Sequence, residues 1–282
     1  MYLSYFGLRE QPFNVTPDPK FLYFGEAYQD ALAYLLYGIR MRKGFVVLTG
    51  EIGIGKTTII NALLERLDDS HKVAHLVHSN MSLKDLLRFV FRDFGLSSEG
   101  KSKSELLIAL QDFLICLDQQ GGNAVLIIDE AQNLRSWQLE EIRLLSNIET
   151  SKRKLLQIVL VGQPELLYLI NSVELKQFKQ RISLHFHLKA LNLQQMIEYI
   201  EHRLAMSGYE GKKLFDDKAY DEVFDFSQGI PRLINTICDR ALIKACISDQ
   251  RRINRKLIRQ VLDGEDSHQQ WDTADDKELQ HS

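Results

Sequence analysis

Apolar positions follow two alternating spacings through the first two thirds of the chain and a single spacing afterwards. Short apolar runs occur at 45–49, 73–78, 124–128, 156–161 and 183–188. The run Phe45-Val46-Val47-Leu48-Thr49 is β-branched, apolar and too short for a helix, so it reads as a buried strand. Between the runs, near 56–67, 82–94, 103–117, 136–149 and 165–181, apolar residues return every three or four positions. Ile60, Leu63, Leu64 and Leu67 show the spacing of one helical face. Strands alternating with amphipathic helices predict a parallel sheet covered on both faces.

After residue 188 the strand-like runs stop. Helical patterns continue near 193–206, 216–226, 231–247 and 254–262, which predicts a small all-helical domain. The first 43 residues form a lead-in with aromatic and proline punctuation and a helix over about 27–42. Residues 263–282 are acidic and almost free of aliphatic side chains, the composition of a disordered tail. The expected division is 1–43, a lead-in packing on the core; 44–188, the α/β domain; 189–262, the helical lid; and 263–282, the tail.

Composition narrows this picture only slightly. A net charge of −3 over 282 residues argues against a protein dominated by nucleic-acid binding, though a local patch is compatible with it. Hydrophobic content of 45% and charged content of 26% are ordinary for a globular protein. No stretch approaches the roughly 20 apolar residues that span a bilayer. The start, Met1-Tyr2-Leu3-Ser4-Tyr5-Phe6, lacks the basic and apolar regions of a signal peptide. Cys116, Cys238 and Cys246 lie among apolar helical residues and are expected to be reduced core residues of a cytosolic protein.

The chemistry is concentrated behind the first strand. Gly50-Glu51-Ile52-Gly53-Ile54-Gly55-Lys56-Thr57 fits G-x-x-x-x-G-K-[ST] at every fixed position, and Thr58 follows it. A glycine-rich turn between strand and helix lets backbone N–H groups cradle phosphate oxygens at a helix N-terminus. Lys56 then reaches the β- and γ-phosphates, and the Thr57 hydroxyl holds Mg²⁺. The run Ala124-Val125-Leu126-Ile127-Ile128 ends in Asp129-Glu130, two carboxylates at the ligand-binding edge of a parallel sheet. Asp129 is expected to hold the Mg²⁺ shell and Glu130 to polarise the attacking water; a helix cap, or a surface charge just beyond the strand, is the alternative for Glu130. Gln163, after the next strand, faces the nucleotide or bonds a local turn. Arg181, before the last strand, either completes a neighbouring subunit's site in trans or merely balances a helix C-terminus. Arg153 in Lys152-Arg153-Lys154 is its rival. Arg232, in Gly229-Ile230-Pro231-Arg232, reaches the γ-phosphate from the lid or is a surface charge. His185 and His187, and His75 and His78, read as partly buried histidines rather than metal ligands. The basic run 251–259 reads as a solvated face, with nucleic acid, a membrane or a partner as alternatives.

These segments resemble the AAA+ ATPases, and the detail is similar to the general secretion pathway protein A family. The resemblance is carried by Tyr5-Phe6-Gly7-Leu8, Pro12-Phe13, Thr16-Pro17-Asp18-Pro19, Asp129-Glu130-Ala131-Gln132-Asn133-Leu134, Glu141-Ile142-Arg143-Leu144-Leu145-Ser146-Asn147, 155–166, Gln180-Arg181 and 229–235. It implies an α/β P-loop ATPase core with a parallel five-stranded sheet and a helical lid. It implies ATP and Mg²⁺ as cofactors, Lys56, Thr57, Asp129 and Glu130 as the hydrolytic centre, and Gln163, Arg181 and Arg232 as sensors and finger. It implies an ATP-dependent homo-oligomer, a hexamer-like ring. With the sequence ending in a short acidic tail, the chain is expected to lack the membrane helix and periplasmic region of the secretion members and to resemble short members such as the mannose-sensitive haemagglutinin pilus ATPase. That implies a cytoplasmic protein, or one held at the inner membrane by an anchored partner, which serves an envelope, secretion, type IV pilus or polysaccharide export machine. The alternative is a nucleic-acid-linked switch in transposition or replication. A small-molecule kinase fits less well, and a GTPase lacks its N-K-x-D segment. Ile54 stands where many relatives carry a small polar residue; its N–H is expected still to face phosphate.

Overall fold

The computed structural model describes residues 2–14, 19–21, 23, 25–77, 81–151 and 153–263. His78, Thr16-Pro17-Asp18 of the proline-punctuated lead-in, Lys152 and 264–282 of the expected tail lie outside the described residues. The chain divides into two compact units, Glu26–Lys189 and a second made of Met1–Gly25 with Ala190–Ser282. The lead-in expected as one segment is therefore split at residue 25.

The elements in chain order are α1 (Tyr2–Phe6), α2 (Glu26–Arg40), β1 (Phe45–Gly50), α3 (Lys56–Leu64), β2 (His71–Leu76), α4 (Leu83–Asp93), α5 (Lys103–Gln119) and β3 (Asn123–Ile128). They continue with α6 (Ser136–Leu145), β4 (Leu156–Gly162), α7 (Glu165–Ile170), α8 (Lys176–Lys179), β5 (Ile182–Leu188), α9 (Leu193–Met206), α10 (Asp217–Ser227) and α11 (Pro231–Ile247). A last helix, α12, covers 255–263.

In the first unit, all five strands are parallel, in the order β2-β3-β4-β1-β5. The strands β1, β3 and β4 are buried along their whole length, as their apolar sequences require. One face of the sheet packs on α4 to α8 through Leu87, Val90, Leu110, Leu139, Leu166 and Phe178. The edge strand β5 instead alternates in burial. Helix starts follow the local sequence. Ser82 caps α4, and Ser102 with Glu105 forms a capping box on α5.

The single helix expected over 165–181 is not formed. It stops at Asn171, takes a 3₁₀ turn at Val173–Leu175 and resumes as α8. Ser172 is extended, with φ −63° and ψ 155°. That break buries Leu175 and sets Phe178 with its ring centre 4.9 Å from that of Phe45. Helical periodicity cannot report such a turn, because both stretches keep an apolar face. Cys116 also departs from expectation. It is exposed, because the buried stripe of α5 runs through Leu106, Leu110 and Leu114 and passes it by.

The second unit packs α9 to α12 with the first 25 residues. Arg203 is buried in α9 and donates to the carbonyls of Pro12 and, at 3.2 Å, Asn14. Phe13 meets Phe215 edge-on at 6.4 Å, and the Tyr2 hydroxyl donates to Asp239 at 2.6 Å. These contacts explain why the lead-in groups with the helices. The turn before α11 needs Gly229. Its φ is 75°, and a Cβ there would lie 1.8 Å from the Leu191 carbonyl oxygen.

Candidate active site

The phosphate loop joins the C-terminal end of β1 to α3. Gly53 and Gly55 have φ of 76° and 100°, the left-handed region that glycine enters without strain. Gly55 is doubly required, because a Cβ would stand 2.7 Å from the Tyr28 hydroxyl. Tyr28 comes from α2, is buried, and donates its hydroxyl to the Ile54 carbonyl. It props the loop from beneath. Nothing in the local sequence marks it, since it lies 26 residues before Ile54. Gly50 is boxed in by the Ile54 side chain and the Leu188 carbonyl, each 3.0 Å from where its Cβ would be. Ile54 thus anchors the loop with a buried side chain. Its N–H, expected to face phosphate, makes a long 3.4 Å bond to the Glu51 carbonyl. Glu51 and Ile52 form the exposed crest.

Lys56, Thr57 and Thr58 occupy the first turn of α3, where backbone N–H groups have no helical acceptor. The Lys56 ammonium is buried and donates to the carbonyls of Gly50, at 2.8 Å, and Glu51, at 3.0 Å. Burial lowers its proton affinity; Glu130, Asp129, Glu51 and Glu165 work in the opposite sense.

Asp129 ends the buried strand β3 and is itself buried. The Thr57 hydroxyl lies 3.3 Å from its Oδ2. Adjacent ligands of an octahedral Mg²⁺ shell stand about 3.0 Å apart, so a hydroxyl and a carboxylate at this spacing fit the ion. The other oxygen, Oδ1, accepts the N–H of Glu130 at 2.8 Å.

Glu130 has φ 50°, a left-handed backbone that costs a non-glycine residue about 1–3 kcal/mol. Its side chain does not cap the following 3₁₀ turn, Ala131–Asn133, which removes the capping alternative. Instead Glu130 Oε2 accepts from the Gln132 side-chain amide at 2.5 Å and from Gln163 Nε2 at 3.5 Å. Gln163 therefore turns its amide to Glu130 rather than to a local turn. The loop, Lys56, Thr57, Asp129, Glu130 and Gln163 thus converge at the C-terminal ends of β1, β3 and β4. Gln132 is the member to which no sequence motif assigned a role.

Arg153 and Arg181 do not join them. Arg153 is fixed to Asp118 by bonds of 3.0 and 3.1 Å at the opposite end of the sheet, where Asp118 also pairs with Arg42. Arg181 is exposed and precedes β5, whose Ile182 pairs with Phe45 and whose Leu188 pairs with Gly50. It stands about six strand residues, about 20 Å, from its own phosphate loop. Arg232 is exposed in the first turn of α11 in the second unit.

The histidines have other partners. His185 and His187 both reach the Thr49 hydroxyl, at 2.8 and 3.0 Å. His75 lies in β2 beside Ile127. Among the described residues, no group of three or more His, Cys, Asp or Glu is placed to hold a metal. The basic run is largely committed. Arg251 lies 3.8 Å from the Tyr5 ring centre, and Arg255 and Arg259 both pair with Glu222. No described helix is long and apolar enough to cross a membrane.

A family model described as an AAA domain matches residues 39–170. General secretion pathway protein A of Aeromonas hydrophila is 42% identical over 246 residues, covering 87% of this chain and 45% of that protein. The chain thus spans less than half of that relative's length. Among solved structures, the ORC2 protein of Aeropyrum pernix aligns with a TM-score of 0.63 at 19% identity, over 90% of this chain and 71% of the other. Cdc6p of Pyrobaculum aerophilum gives 0.60 at 17%, over 84% and 68%. These two show a shared fold.

Proposed function

We propose that this chain, which belongs to the AAA+ ATPases related to general secretion pathway protein A, hydrolyses ATP with Mg²⁺ to drive or switch assembly of an envelope machine. The carrying observation is the convergence of the phosphate loop, the Thr57–Asp129 pair and Glu130 at one sheet edge. Backbone N–H groups of the loop and Lys56 would hold the phosphates, Lys56 exchanging two carbonyls for phosphate oxygens. Thr57 and Asp129 would hold Mg²⁺, which neutralises charge on the transferred phosphoryl group. Glu130 would orient and polarise the attacking water, and Gln163 would sense the γ-phosphate.

Arg181 cannot serve its own loop across the length of the sheet. We assign it to a neighbouring subunit's nucleotide, which makes the active form a homo-oligomeric ring. Arg232 keeps the role of a γ-phosphate sensor on the helical unit. The load is an envelope, secretion, pilus or polysaccharide export machine, reached from the cytoplasmic side through a membrane-anchored partner. The basic run gives the nucleic-acid reading little support, because three of its arginines are engaged within the fold.

The test combines hydrolysis with capture. Purified protein should hydrolyse ATP only with a divalent cation. A tagged Glu130→Gln variant should retain an envelope-assembly protein from solubilised membranes that Lys56→Ala does not. ATPase activity stimulated by DNA and falling steeply with salt would favour the other reading.

A further inference from the structure

Gln132 uses both ends of its side-chain amide. Nε2 donates to Glu130 Oε2 at 2.5 Å, and Oε1 accepts the backbone N–H of Gln163 at 3.0 Å. Only one of the two amide orientations satisfies a carboxylate and an N–H together, so the pairing fixes the side chain. The site is also shaped around it. Gly162 ends β4 beneath the amide, and a Cβ there would come within 2.8 Å of Gln132 Oε1 and 3.3 Å of its backbone nitrogen. Gly162 has no positive φ among the chain's glycines, so close approach rather than backbone freedom explains it. The backbone beneath Glu130 is fixed as well, by its left-handed φ and its bond to Asp129.

From this geometry we propose that Gln132 is a positioning residue that latches the Glu130 carboxylate to the end of β4, holding the water-polarising carboxylate and the γ-phosphate sensor in one frame. This rests on the reading of Glu130 as the group that polarises water. The latch acts on two strands at once. On β3 it occupies one oxygen of the Glu130 carboxylate. On β4 it ties down the backbone of Gln163, whose own amide shares the same carboxylate oxygen. Displacing Gln163 toward a phosphate would therefore leave Glu130 still held by Gln132. No atom of Gln132 need touch nucleotide.

The test is a kinetic cycle on the full chain. Gln132→Leu keeps the bulk and removes both bonds. It should lower kcat about 10- to 100-fold, the usual cost of losing a group that orients a reacting residue, with the affinity for a fluorescent ATP analogue unchanged. Glu130→Asp shortens the acid by one methylene and breaks the same contact while leaving a carboxylate. In that background Gln132→Leu should cost nothing further, which a purely structural role would not produce. Losses that multiply, or an unaltered kcat, overturn the proposal. If Gln132→Leu does not fold, Gly162→Ala decides. It presses on the same amide and should lower kcat with binding kept; wild-type turnover in that variant overturns the latch. Failure of the underlying reading looks different: the wild-type chain itself would not hydrolyse ATP, or Glu130→Asp would turn over at the full rate.

Discussion

The Thr57 hydroxyl stands 3.3 Å from Asp129 Oδ2, although 72 residues separate them in the chain. This pair sets the first prediction. Thr57→Ala should weaken Mg²⁺-dependent nucleotide binding and slow hydrolysis. Lys56→Ala should weaken binding by about 10- to 100-fold, the worth of one or two hydrogen bonds to a charged group. Titration with a fluorescent ATP analogue, with and without Mg²⁺, measures both. Equal affinity of wild type and Lys56→Ala would remove the phosphate assignment.

Arg181 tests the shared site. Arg181→Ala should bind ATP as wild type does and hydrolyse it about 10³-fold more slowly. Mixing Arg181→Ala with Lys56→Ala should restore activity, because a mixed interface joins an intact loop to an intact arginine. Wild-type turnover by concentrated Arg181→Ala would rule the finger out.

Tyr28 tests the support of the loop. Tyr28→Phe keeps the ring and deletes the bond to the Ile54 carbonyl, worth about 1 kcal/mol. The KM for ATP should rise severalfold while the folded protein stays intact by circular dichroism. An unchanged KM would show that the ring alone shapes the loop.

Gly229→Ala should destabilise the helical unit by about 2 kcal/mol or more, since the new methyl meets a carbonyl oxygen and the backbone is left-handed. Urea unfolding measures it. A variant as stable as wild type would mean that the turn can relax freely.

His75 gives a pH signature. Burial holds its imidazole below the usual histidine range, against the pull of Asp129 and Asp93, and its Nε2 has no hydrogen-bond partner among the described residues. The folded ring therefore binds a proton less readily than the unfolded chain does. As pH falls through the unfolded value, about 6.5, the unfolded state takes up a proton first and stability drops. The loss levels off below the folded value. Urea midpoints at about pH 7.5 and about 5.5 should differ less in His75→Gln than in wild type. Equal differences would place the acid sensitivity elsewhere.

Local pattern made much of this protein readable. Gly50 to Thr57 is a contiguous motif, and its strand-loop-helix setting follows from the apolar spacing on either side. Asp129 and Glu130 end a run apolar enough to be a buried strand. The break at Ser172 was not readable, because both halves of 165–181 keep an apolar face and only the demand to bury Leu175 and Phe178 sets the turn. The lead-in was divided for a similar reason, its anchor Arg203 lying 191 residues from Pro12 and Phe215 lying farther still from Phe13.

The sequence by itself determined the phosphate loop, the two carboxylates and the alternation of strands and helices. Each of these is a spacing along the chain, set by the rise of a strand, the period of a helix or the reach of a turn. The fold alone decided that Tyr28 would prop Gly55, that Gln132 would join Glu130 to Gln163, and that Arg153 would be spent on Asp118. Apart from the two-residue step between Gln132 and Glu130, those are meetings between separate elements, made at hydrogen-bond distance by residues far apart in the chain. Parallel strands need long crossover connections, so such residues meet only where the fold sets their elements side by side.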